Sequence, residues 1–124
     1  MRGMAYFCFL SATIYALAGM AMGIFMAASH DHSLLTVHAH LNLVGWVSMA
    51  IYGLFYHGVP TVAATRLART HVAVATTGLW IFIPGIALAV LDITEGPAIL
   101  GSLLTILGML LFTVRVATAR LKPA

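Results

Sequence analysis

The residues in this chain best able to do chemistry fall in one stretch, Thr36-Val-His-Ala-His-Leu-Asn-Leu-Val-Gly-Trp46. Two histidines and an asparagine open a segment that is otherwise apolar and long enough to cross a membrane. An ionisable side chain in hydrocarbon is costly unless paired, and where one occurs it marks a functional site by default. An imidazole offers one nitrogen lone pair to a metal and one N–H to a neighbouring acceptor. His38 and His40 are therefore candidate ligands of a metal or metal cofactor.

Their spacing limits how they can act. An α-helix advances about 100° per residue, so His38 and His40 point to nearly opposite faces. Two histidines that share one ion from a single helix need a spacing of three or four. The pair reads instead as two separate ligands, one on each side. The His38 face continues through Asn42, Gly45, Met49, Tyr52 and Tyr56, where Gly45 leaves room for the edge of a planar macrocycle. Trp46 and Met49 are further candidates to line such a pocket. The His40 face continues through Val44, Val47, Ile51 and Leu54, which read as packing.

Four further histidines complete the set. His30 and His32 flank Asp31 in a connection, where they read as a solvated polar turn or, with His40, as a surface copper or zinc site. His57 and His71 border the next connection and read as interfacial side chains, or as a second bis-histidine site between helices.

The elements that position these residues follow from composition. Of 124 residues, 62% are hydrophobic and 7% charged, with a mean hydropathy of +1.05. A soluble domain carries about 25% charged residues, so the chain reads as an integral membrane protein of one domain. Four apolar segments, about 4–29, 34–58, 70–91 and 97–119, match the ~20 residues that span hydrocarbon. Short connections make sequential helices antiparallel neighbours, and the expected fold is all-α, a four-helix up-down bundle. The first segment is longer than the 7–15 apolar residues of a signal peptide and reads as a spanning helix. Arg2, Arg66, Arg69, Arg115, Arg120 and Lys122 fall on one side, and Asp31, Asp92 and Glu95 on the other. The positive-inside rule reads this as both termini cytoplasmic in a multi-pass membrane protein. The basic residues are scattered between apolar runs and form no nucleic-acid surface.

Smaller features refine the picture. A single cysteine, Cys8, excludes an intrachain disulfide and a Cys-rich metal site, and reads as packing. Gly19-Met-Ala-Met-Gly23 offers a face that a neighbouring helix can approach closely, as does the row Gly101, Thr105, Gly108 with Ser102 beside it. Pro84-Gly85 predicts a kink in the third segment.

The segment Thr36-Val-His38-Ala-His-Leu-Asn42, at the start of an out-to-in second helix, resembles the second transmembrane helix of haem–copper oxidase subunit I. The likeness is to the branch that includes the B-type and cbb3-type oxidases and nitric oxide reductase. It covers the first two helices and is carried by some twenty residues. The resemblance implies a low-spin haem with His38 as an axial ligand and Asn42 nearby. The family's copper centre needs three further histidines on helices this chain lacks, so oxygen or nitric oxide reduction by this chain alone is not implied. A second axial ligand can come from another copy, with His38 of one chain and His40 of the next, which makes a homo-oligomer the expected assembly. No Cys-x-x-Cys-His motif is present, so the haem implied is b-type. The expected function is electron transfer, or binding of a diatomic gas, with a redox partner or quinone and membrane lipid as partners. The alternatives are a copper- or zinc-binding protein using His30, Asp31, His32 and His40, and a structural accessory subunit of a respiratory complex.

Overall fold

A computed structural model describes residues 1–119, and all regular structure among them is helical. Helix α1 is Gly3–Ser29. Helix α2 runs unbroken over 35–58 in three parts: an α segment Leu35–His40, a π segment Leu41–Ser48 and an α segment Met49–Gly58. A single turn, α3, covers Pro60–Ala63, followed by α4, Arg66–Val90, and α5, Gly96–Thr118. Helices α1, α4 and α5 are each long and apolar enough to cross a membrane. The C-terminal Arg120 and Lys122 lie outside the described residues.

Local chemistry accounts for the boundaries. Helix α1 stops where His30 turns into the left-handed region, at φ 55°. Helix α4 begins four residues before the expected Thr70, because the Thr65 hydroxyl accepts the Ala68 N–H and caps the first turn. It continues through Pro84 without a break in the helix. The expected long loop at 59–69 thus contracts to α3 and a two-residue junction.

The helices form two antiparallel hairpins, each closed by small residues. In the first, a Cβ on Gly19 would come within 2.6 Å of the Asn42 amide, and one on Gly53 within 3.0 Å of the Phe9 nitrogen. In the second, Gly78 meets Leu104, Gly85 meets Pro97 and Ala98, and Gly101 meets the Phe82 backbone. The Gly19/Gly23 and Gly101/Gly108 faces are therefore spent within the chain, holding helix against helix. Cys8 is fully buried in the α1–α2 core.

The hairpins share one buried cluster, in which Ala68 and Val72 of α4 join Ala5, Cys8 and Ala12 of α1 and Met49 of α2, and three side-chain contacts add to it. Trp80 Nε1–H donates to the Tyr15 hydroxyl at 2.8 Å. The His40 ring meets Phe82 edge-on, with centroids 5.4 Å apart. At the far end, Tyr52 and Tyr56 of α2 enclose His71 of α4, which also stacks on Phe112 of α5. The antiparallel pairing gathers Arg2, Arg66, Arg69 and Arg115 at one end of the molecule and Asp31, Asp92 and Glu95 at the other.

Candidate functional site

Helix α2 positions every residue of the candidate site. Val37, Leu41, Gly45, Met49 and Gly53 are all buried, a row at a constant spacing of four. In an α-helix each step of four overshoots a full turn by about 40°, so four steps would carry the row roughly 160° around the helix. A π-helix holds more residues per turn, and π segments are rare and frequently found at functional sites. The π segment Leu41–Ser48, in which the Ser48 hydroxyl donates to the Leu43 carbonyl at 2.9 Å, keeps the row on one side.

The two histidines do diverge. His38 turns to α1, where a Cβ on Gly23 would lie 3.0 Å from its Cε1. His40 turns to α4 and Phe82. Their hydrogen bonds differ in length and partner. A carbonyl can only accept, so the 2.8 Å contact of His40 Nδ1 with the Thr36 oxygen puts the proton on Nδ1. The Nε2 lone pair of His40 is thereby left free, which is the arrangement metal-ligating histidines commonly show. For His38 the Asn42 amide nitrogen approaches Nδ1 at 3.5 Å while donating to the His38 carbonyl at 2.8 Å. At 3.5 Å the ring contact is long for a hydrogen bond, so the Asn42 amide is held chiefly by the His38 carbonyl.

The rest of the expected pocket is filled by protein. Asn42 lies against Gly19, and the space beside Gly45 is taken by Tyr15, whose Cβ would be 3.1 Å from a Cβ there. Met49 and Tyr52 are buried in the core, and Trp46 packs partly buried against it. A macrocycle between α1 and α2 therefore does not fit the His38 face of one chain. The flank carrying His40 is different: the residue is half-exposed, and its ring presents an unprotonated nitrogen. That nitrogen is free to accept a hydrogen bond or to hold a metal ion.

His71 is placed otherwise than its position in the sequence suggests. It is completely buried rather than interfacial, and its Nδ1 is 2.8 Å from the Tyr56 hydroxyl. A phenol that donates leaves one unpaired group, whereas one that accepts leaves two, so Tyr56 O–H is the donor. His71 Nε2 is buried and bonds to nothing among the described residues. His57 is exposed and does not join it. The signal for this site is weak in sequence: Tyr56 and His71 are separated by a connection and share no periodicity.

At the opposite end, Ser33 N–H donates to Asp31 Oδ1 at 2.9 Å, which holds this exposed carboxyl below its usual range. Among the described residues no three of His, Cys, Asp or Glu gather into a metal-holding group. No protein-family model, curated protein or solved structure matches this chain.

Proposed function

We propose that this chain is a multi-pass subunit of a b-type haem protein of a bacterial inner membrane. In this reading it is a four-helix up-down bundle with both termini cytoplasmic, and the haem lies near the outer face at a boundary between copies. The Nε2 of His40 is the axial donor, and His38, braced by Asn42, fixes the angle between α1 and α2. The observation that carries the reading is the hydrogen bond from His40 Nδ1–H to the Thr36 carbonyl, which leaves a ligand-ready nitrogen half-exposed on an apolar helix. The resemblance of Thr36–Asn42 to the haem-ligating helix of haem–copper oxidase subunit I supports a haem on this helix, but it marks His38 as the ligand; the choice of His40 rests on the hydrogen bond to Thr36 alone. Haem bound there supplies a one-electron couple if both axial positions are taken, or a diatomic-gas site if one stays open. The hydrogen bond that His40 Nδ1–H donates to the Thr36 carbonyl holds the imidazole against rotation in either case.

A second reading, a structural accessory subunit, is favoured by the packing of His38 on Gly23. Reduced-minus-oxidised spectra of the purified protein separate the two. The haem reading expects a Soret band that shifts on reduction, is lost in His40→Ala and survives in His38→Ala. A colourless protein that co-purifies with a larger complex supports the structural reading. Colourless protein carrying copper or zinc, lost in His30→Ala or His32→Ala, supports metal binding at the surface.

A further inference from the structure

Helices α1 and α4 touch at few points, and a furrow runs along the seam between them. Its basic-end stretch, about 400 Å³, is lined by Met4, Arg69, Val72 and Ala73 together with Phe7 and Thr76. Phe7 and Thr76 are shared with the next stretch, about 360 Å³, which runs past Ile14 to Tyr15 and Trp80. The Trp80–Tyr15 hydrogen bond lies at this far end. From Arg69 to Trp80 the helix rises roughly 16 Å, about half the ~30 Å hydrocarbon thickness, so the furrow is one leaflet deep.

We propose that this furrow seats an acyl chain of an anionic phospholipid from the leaflet at the basic end, with the lipid phosphate held by Arg69. Three features converge on that occupant. The walls are largely apolar side chains within a bilayer, where a lipid tail is the available filling. Arg69 stands exposed at the mouth, and every carboxylate side chain of the protein lies at the other end, so its counter-ion must come from outside the helices. A guanidinium presents a planar fork that matches phosphate oxygens two at a time. The depth fits a lipid tail of one leaflet.

Trp80, 67% exposed at the furrow's end, reports occupancy directly. In a Trp46→Phe background only Trp80 emits. The protein is reconstituted in phosphatidylcholine vesicles containing either phosphatidylglycerol or phosphatidylcholine brominated at mid-chain, and quenching is read against mole fraction. The phosphatidylglycerol form is expected to reach half-maximal quenching at about fivefold lower mole fraction. Arg69→Gln removes the preference and Arg69→Lys keeps most of it. Ala73→Phe, which fills the furrow and leaves the arginine, also removes it. Helical circular dichroism checks that each variant is folded. Equal quenching by both lipids overturns the proposal, as does a preference that survives Arg69→Gln or Ala73→Phe in folded protein. A stable dimer that shields Trp80 from both lipids overturns it in favour of a second copy of the chain.

Discussion

His38 and His40 sit two residues apart, yet hydrogen bonding makes them chemically unlike. His40 gives its Nδ1 proton to the Thr36 carbonyl and leaves Nε2 bare, whereas His38 has only a long contact with the Asn42 amide. Tyr56 and His71 form the other polar pair that matters, since their bond joins the two hairpins inside the core. Tyr56→Phe strands the His71 Nδ1 in a buried site, at a cost of about 1–3 kcal/mol. Thermal or denaturant unfolding in detergent should show a lower midpoint for Tyr56→Phe. The double variant Tyr56→Phe/His71→Phe should recover part of the loss, because it removes both ends of the unmet bond. Asp31 gives a prediction in pH. Its carboxyl is lowered first by the Ser33 backbone N–H and then by the Ser33 side chain. A depressed carboxylate favours the folded state above its unfolded pKa and loses that effect as pH falls through the folded value. An NMR titration followed at the Ser33 amide should therefore have its midpoint below that of an ordinary aspartate, and Ser33→Pro, which deletes the N–H donor, should raise it.

Among the elements, the hairpins depend on glycines at which no side chain fits. Gly101 is the sharpest case, since a Cβ there runs into the Phe82 backbone. Alanine improves helix propensity over glycine by about 1 kcal/mol, but overpacking against rigid backbone costs about 1–3 kcal/mol. Gly101→Ala should thus be destabilising, with a lower unfolding midpoint, and would be stabilising if α5 were free of α4. The apolar runs, the small-residue faces and the segregated charges are all legible in the sequence, because each depends on residue type at α-helical spacing. The π segment is visible only in the row Val37, Leu41, Gly45, Met49, Gly53, whose unbroken spacing of four no α-helix can keep buried. Reading that helix as α throughout makes Gly45 look like open space, and Tyr15, thirty residues earlier in the chain, fills it. The opposed directions of His38 and His40 are legible because both precede the π segment. The His40 tautomer is not, because it depends on which carbonyl the ring reaches.

At the scale of the molecule, the charges and the contacts divide along different lines. Charge separates the two ends, whereas packing separates the two halves of the chain. Within each half, glycines bring helix backbones into close contact. Between the halves, the seam is a buried cluster of small and apolar side chains, Ala5, Cys8 and Met49 against Ala68 and Val72, with the two hydrogen bonds Tyr15–Trp80 and Tyr56–His71 and a few ring contacts. The only covalent link across it is the short stretch around α3. Nicking the gene there, between Ala64 and Thr65, should give two polypeptides that insert separately and find one another in the bilayer. Tagged fragments recovered together, but not when Tyr56→Phe and Trp80→Phe are combined, would show that two aromatic handshakes are indispensable where peptide continuity has been removed.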